Sequence, residues 1–420
     1  MTFALKPNAA QRDNLMRLAD WFVFGIAVAL PWSTSATVIL ACLWVLTVVP
    51  AIEPQELKRE MMRPAAFLPL ALCVLAAIGM LWADVSLKER FKGIDSFLKL
   101  LTIPLLMIQF RRSDRAIWAL AGFLVSGTLL LAASGLILLS PRGEGWGLAK
   151  GYGLPVKDYI AQSAVFTICA FGLFYLAVDA FWLRWRSLGV VFLALGLLFV
   201  ADMVFVVTSR TALFTLPFLL LLLGFRQFGW KGTIVACVAS LVAAAAIWAA
   251  SQNVRDRVGN LALEIKRQKT ENIETPAGAR LDFWTRSIES ILQAPLIGHG
   301  TGSIRETFKK SAVGEGASAV VPVNPHNQIL AVAIQLGLVG GLLLLAMWIS
   351  HFALFFRGAG MASWLGLLVV AQNVIGSLAN SHLFDFTHGW IYCIGVGVCG
   401  GIATRQGAPL SIFKAAAAKP

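Results

Sequence analysis

The chain reads as an all-α polytopic membrane protein with about twelve transmembrane helices and one long hydrophilic loop between spans nine and ten. Three observations predict this. Of 420 residues, 58% are hydrophobic and only 14% are charged, whereas soluble domains carry about 25% charged residues. Apolar runs approaching the ~20 residues needed to cross a bilayer recur from residue 19 to residue 404. Only one stretch between them, residues 251–325, is both long and hydrophilic.

The spans are expected at 19–34, 36–51, 66–82, 97–110, 116–139, 159–179, 187–208, 211–225, 232–250, 326–355, 361–380 and 388–404. Pro31 and Pro50 close the first two, and the run 326–355 is long enough to tilt or protrude. No cleavable signal peptide is expected, because the first apolar stretch leads into another span. This divides the chain into membrane spans over 1–250, a loop over 251–325, and further spans with a tail over 326–420. The cysteines (Cys42, Cys73, Cys169, Cys237, Cys393, Cys399) all fall inside apolar runs without metal spacing, so they read as small core residues.

Short-loop cations set the orientation. Lys6, Arg12 and Arg17, then Lys58, Arg59 and Arg63, then Arg111, Arg112 and Arg115 alternate with the spans. Arg184 with Arg186, Arg226 with Lys231, Arg357, and Arg405, Lys414 and Lys419 continue the alternation. Both termini are therefore expected to be cytoplasmic, with the loop 251–325 on the opposite side. That side also carries many cations. Ten lie in the long loop, and Lys88, Arg90, Lys92, Lys99, Arg142, Lys150, Lys157 and Arg210 lie elsewhere on it. They form either a solvated, headgroup-facing surface or a site for an anionic lipid-borne ligand.

Within the loop, Val254, Val258, Leu261 and Ile265 recur at helical spacing and predict an amphipathic helix over 253–269. A second is expected from Gly278 to about Ala294, with Arg280 at its start. Gly298-His299-Gly300-Thr301-Gly302 lacks the strand and the Lys-Ser/Thr ending of a phosphate loop, so it reads as a tight turn.

The loop ends at Asn324-Pro325-His326-Asn327. Asn324 can cap a helix and Pro325 suits its first position. That places His326 on the first turn, where the helix dipole disfavours imidazolium. A neutral imidazole is what a general base requires. The same position also suits a histidine that only hydrogen-bonds headgroups or a loop carbonyl. Arg210, in the short turn between two apolar runs, must sit at the membrane edge, either snorkelling to headgroups or binding a phosphate. His382, Asp385 and His388 share the last turn on that side. Asp385 there can orient a histidine or pair with an arginine, and the spacing is too general to predict a metal. Asp202, about 12 Å along a helix from Arg210, is a suspect for mid-membrane function, while Gln162, Gln372 and Asn373 read as interhelix glue.

His326-Asn327, followed after nine residues by Gly337-Leu338-Val339-Gly340, resembles the signature of O-antigen ligases. The segment from Arg280-Leu281 through Trp284 to Pro295-Leu296-Ile297-Gly298-His299-Gly300 is similar to the domain that O-antigen ligases share with polymerases. Of the family's Arg-x-x-x-Leu motif, Arg210 is present, with Phe214 at the leucine position and Leu213 beside it. The resemblance implies a C-type membrane glycosyltransferase in a bacterial inner membrane, with its active site on the periplasmic side. Its donor would be undecaprenyl-pyrophosphate-linked O-antigen and its acceptor a lipid A-core hydroxyl. Catalysis would be inverting, with no metal or other cofactor. His326 would be the base, and Arg210 and Arg280 would hold the pyrophosphate. Asn327, Lys88, Arg90, Asp385 and His382 are expected around the substrates. An O-antigen polymerase is the neighbouring alternative, and a lipid-linked sugar flippase is the alternative from another class. The expected partners are these lipids and the membrane; no nucleic acid is expected.

Overall fold

The computed structural model describes residues 7–139, 151–207, 209–250 and 252–405. Lys6, Arg142, Lys150, Lys414 and Lys419 of the expected charge pattern lie outside them. The described residues fold into helices α1 (Ala9–Ala29), α2 (Thr34–Ala51), α3 (Pro54–Met61), α4 (Pro64–Gly79), α5 (Leu87–Leu98), α6 (Thr102–Arg112), α7 (Ala116–Leu138), α8 (Tyr159–Trp182) and α9 (Arg186–Phe205). They continue with α10 (Arg210–Ala250), α11 (Gln252–Gly259), α12 (Leu261–Glu271), α13 (Pro276–Gln293), α14 (Ile304–Ser311), α15 (Gln328–Arg357), α16 (Gly360–Gly376) and α17 (Phe386–Ala403).

A multi-pass, all-helical membrane protein is what these helices form, but the expected number of spans needs correction. Counting α5 and α6 as one continuous stretch (Leu87–Arg112), eight helices among the described residues are long and apolar enough to cross a membrane, or nine if the pair α3 and α4, bent by 93°, counts as one span. Twelve were expected. One difference lies in α1, which begins early and carries Arg12, Asp13, Arg17 and Asp20. Another is α16, which has only 17 residues. The third is α10, which contains two of the expected runs in a single helical stretch of 41 residues.

That stretch is not straight. Gly229 has φ 64° and ψ −152°, a region essentially reserved for glycine. A Cβ on Gly224 would meet the Gly232 carbonyl at 2.5 Å. In a straight helix those residues would be about 12 Å apart, so the chain folds back at Gly229. Arg226, next to the reversal, donates to the carbonyls of Phe356 and Gly358.

The helices α4, α8, α15, α16 and α17 build the centre. Trp364, Tyr392, Phe166 and Phe199 are fully buried there. Lipid offers no hydrophobic drive for helix pairing, so close packing and polar contacts must hold the bundle. Gln372 Nε2 donates to Ala164 O at 3.0 Å, and Trp364 Nε1 to Phe171 O at 3.0 Å. Asp202 accepts from Ser134 Oγ at 2.7 Å, which gives this carboxyl a bundle partner. At one end of the bundle, ion pairs tie Arg12 to Glu53, Arg111 to Glu60 and Arg405 to Asp114. The opposite end carries α11 to α14 and the candidate site.

Candidate functional site

The site begins with a break in a helix. Within α15, Gly337 has φ 61° and ψ −161°, so the residues after Asn327 form a short helical piece before the longer one. The segment 295–300 fills the break. Leu338 N–H donates to Pro295 O at 2.8 Å and His299 N–H to Ile334 O at 2.9 Å. Gly300 N–H donates to Gln335 O at 2.9 Å and Thr301 N–H to Gly79 O at 3.0 Å, while Gly302 N–H reaches Gln335 Oε1 at 2.8 Å. The glycine-rich stretch is thus a turn whose amides are committed to protein carbonyls, as the tight-turn reading expects.

His326 stands just outside the helix rather than on its first turn. Asn327, not Asn324, is the N-cap, and its Oδ1 accepts from Ile329 and Leu330 N–H at 3.0 and 3.1 Å. His326 itself has φ 53°, which is uncommon for a residue with a Cβ. Asn324 explains the conformation: its Oδ1 accepts from His326 N–H at 2.8 Å and from Ser381 Oγ at 2.6 Å. The turn is therefore pinned to the α16–α17 connection, as is Gln328, whose Oε1 accepts from Leu383 N–H at 2.9 Å.

The imidazole is held on two sides. Its ring stacks on Phe283 of α13, with centroids 6.2 Å apart and planes at 18°. Its Nδ1 lies 3.0 Å from Asn380 Oδ1. Asn380 Nδ2 donates to Asp385 Oδ2 at 3.2 Å, and Ser381 N–H donates to the same Asn380 Oδ1. The amide orientation is thereby fixed, so Nδ1 of His326 carries the hydrogen and Nε2 is the free acceptor. Burial lowers the His326 pKa below its ordinary 6.5; the Asn380 bond acts the other way, and the positive charge of Arg280 adds to the lowering. These effects together favour the neutral ring.

Arg280 lies near enough for its charge to act on the ring, and Arg210 lies near Arg280. Arg280 lies on the first turns of α13, and burial and the neighbouring Arg210 guanidinium both disfavour its charged form. Among the described residues its guanidinium makes no hydrogen bond. Arg210, the first residue of α10, is gripped by Glu264 of α12 at 2.8 and 3.3 Å. Glu264 also accepts from Ala277 N–H, at the start of α13, at 3.1 Å. Its pKa is lowered, chiefly by the Arg210 bond. A carboxylate thus sits against one guanidinium and a helix N-terminus, with the Arg280 charge nearby, groups of the kind that bind phosphate oxygens.

Residues 195–345 match the O-Antigen ligase family model. This O-antigen ligase match takes in Arg210, Glu264, Arg280, His326 and the Gly337 break, and leaves Asn380, His382 and Asp385 outside. An "Uncharacterized protein" of Haemophilus influenzae (strain ATCC 51907 / DSM 11121 / KW20 / Rd) is 29% identical over 119 residues. That similarity spans 28% of this chain and 29% of the relative, so it covers less than a third of either.

Of the residues singled out from sequence, His326, Arg210, Arg280 and Asp385 gather here, beside the O-antigen ligase match or within it. Asp385 acts on His326 through Asn380, and burial raises its pKa to about 6, while Lys99 pulls the other way. His382 is 2% exposed; burial first, then the Arg280 charge, pushes its pKa down to about 3. Asn327 spends its side chain on the α15 cap and on Leu378 O. Lys88 and Arg90 sit on α5. There Lys88 is exposed, and Arg90 clamps its own loop through Val85 O and Met80 O at 3.0 and 2.8 Å. Among the described residues no interaction links either to His326. Asn380 and Glu264 carry much of the geometry and were not singled out from sequence. Only the polar run Asn380-Ser381-His382 inside an apolar region hinted at the former.

Proposed function

We propose that this protein is an O-antigen ligase, a C-type membrane glycosyltransferase that moves O-antigen polysaccharide from undecaprenyl pyrophosphate to a lipid A-core hydroxyl. The observation that carries the reading is the His326 ring, held through Nδ1 by Asn380, with the Arg280 charge acting on it and Arg210 next to Arg280. In the reaction, Nε2 of His326 takes the acceptor hydroxyl proton as that oxygen attacks the anomeric carbon of the donor. The bond from that carbon to the pyrophosphate oxygen breaks, and the configuration inverts. Undecaprenyl pyrophosphate leaves with the bonding pair, and its developing charge falls between the two guanidiniums. Asn380, backed by Asp385, keeps the imidazole in the correct tautomer. The site end of the bundle then faces the periplasm, with both termini in the cytoplasm and residues 251–325 forming the periplasmic loop.

Purified protein incubated with undecaprenyl-pyrophosphate-linked O-antigen and lipid A-core is expected to give a ladder that requires both lipids. Extension of the donor without lipid A-core would assign the protein as a polymerase. Absence of product with either acceptor would reject transfer and favour a flippase.

The pH profile tests the base. A lowered His326 pKa means that the active neutral form is lost only when the pH falls below the ordinary 6.5. Transfer is expected to rise with pH on the acid side and to be flat from about pH 7 upward. A rate still climbing tenfold per pH unit above pH 7 would rule out His326 as the titrating base.

Glu264→Gln tests anion binding at Arg210. Glutamine keeps an acceptor for Ala277 N–H but removes the charge that competes with a phosphate for Arg210. The donor KM is expected to fall by about 5- to 20-fold, with little change in kcat, because the charge-assisted part of that partly exposed contact, ~1–2 kcal/mol, no longer has to be broken. A raised donor KM would show that Glu264 serves substrate binding instead.

A further inference from the structure

We propose that His382, Asp385 and His388 form a binding site for one divalent transition cation of the zinc class. The inference rests on the turn and its chamber, and does not depend on the transfer reading.

One ligand atom from each of the three side chains falls within 4.8 Å of the others. His382 Nδ1 is 3.9 Å and His388 Nδ1 is 4.0 Å from Asp385 Oδ2. Zinc bonds nitrogen and oxygen at ~2.0–2.2 Å, which puts tetrahedral ligands about 3.3 Å apart. Coordination requires the gaps to Asp385 to close by about 0.6–0.7 Å and the widest spacing in the group, at most 4.8 Å, to close by up to about 1.5 Å, shifts that side-chain rotation supplies. Their order along the chain suits this: Asp385 precedes α17 directly, His388 is three residues later, and His382 three residues earlier.

The second observation is an unmet polar need. His382 is buried, and among the described residues neither of its ring nitrogens has a hydrogen-bond partner. Leaving a buried polar group unsatisfied costs about 1–3 kcal/mol, and such a group in a native fold calls for an explanation such as a bound ion. The ring has also been given its place. A Cβ on Gly376 would lie 2.9 Å from His382 Cδ2 and Nε2, so α16 has a glycine where the imidazole packs. His382 and His388 line a small chamber together with Ser163, Thr167, Ser209 and Thr211. A water taken up there would supply the fourth ligand of a three-ligand site.

Two imidazoles and one carboxylate select zinc, cobalt, nickel or copper over magnesium or calcium. The ligands carry a single formal negative charge. Lys99 opposes them: its Nζ donates to Phe384 O and Asp385 O at 3.0 and 3.1 Å. Arg280 also makes itself felt at His382. Affinity is therefore expected to fall below that of closed structural zinc sites. The bound ion would stiffen the turn that carries Asn380.

The test uses full-length protein in detergent, carrying no polyhistidine tag and stripped with chelator, titrated calorimetrically with Zn2+ and spectroscopically with Co2+. One equivalent of Zn2+ is expected, and Co2+ should show the visible absorption of a four-coordinate ion. His382→Ala/His388→Ala should abolish both signals, and His299→Ala should leave both unchanged. Should the double variant fail to fold, Asp385→Asn, which keeps the shape and removes the charge, is expected to weaken binding more than tenfold. Failure of the wild type to bind either metal, or undiminished binding in a folded ligand variant, would overturn the site.

Discussion

Replacing His326 with alanine is expected to lower ladder formation by about 10²- to 10⁴-fold, the usual contribution of a positioned general base. The protein should remain folded. The turn around residue 326 is held mainly by neighbours of the ring: Asn324 to Ser381, Asn327 to the α15 amides, and Gln328 to Leu383. The imidazole itself contributes one hydrogen bond, to Asn380, and one stacking contact, with Phe283. Their loss costs activity far more than stability. A thermal unfolding curve close to that of the wild type, measured on the sample used for the assay, separates lost chemistry from lost fold. Product at the wild-type rate from the folded variant would remove His326 from the mechanism and leave the transferase reading intact.

Gly337→Ala is expected to damage the fold itself. The backbone at Gly337 occupies a region essentially closed to other residues, which costs about 1–3 kcal/mol before any contact is counted. A Cβ there would also run into the backbone of Leu296 and Ile297. Backbone cannot move aside like a side chain, because the amides of residues 299, 300, 338 and 339 all pair across this junction. The combined cost of about 3 kcal/mol or more is a large share of the usual stability of a domain. Aggregation on solubilisation, or a marked fall in melting temperature, is the expected readout. Gly341→Ala is the control: nothing lies within 4 Å of the position its Cβ would take, so it should melt like the wild type. Equal melting temperatures for the two variants would show that the break at Gly337 does not hold the site together.

The sequence made some of this architecture legible and concealed the rest for physical reasons. Apolar run length marks a membrane helix well, so α7, α8, α9 and α17 fall close to where hydropathy puts them. It cannot mark a bend inside an apolar run. Gly337 looks like an ordinary helical glycine until the backbone shows positive φ, whereas Gly229 falls in the connection expected between the runs 211–225 and 232–250. Run length also fails where a helix such as α1 extends past the bilayer into charged residues. At the site, the titratable groups were visible because ionisable residues are rare in this chain. Asn380 was not, since an amide acts here only through its place between His326 and Asp385, 54 residues from one and 5 from the other. Glu264 was masked by the alternating charge of its helix, where one carboxylate looks like any other. Asn327 was placed near the site by its position next to His326, yet its local duty is to cap α15.

The reversal at Gly229 has a mechanical consequence. The second half of α10 is largely exposed and leads through α11 to α12, the helix that carries Glu264. Its close contact with the first half is a seam of small residues, Gly224 with Gly232 and Ala236. The carboxylate that meets Arg210 thus follows an arm that has little contact with the protein core. If Glu264 gives way to an incoming anion, the arm before it is restrained mainly by what surrounds the protein, so the position of Glu264 should respond to the choice of lipid or detergent.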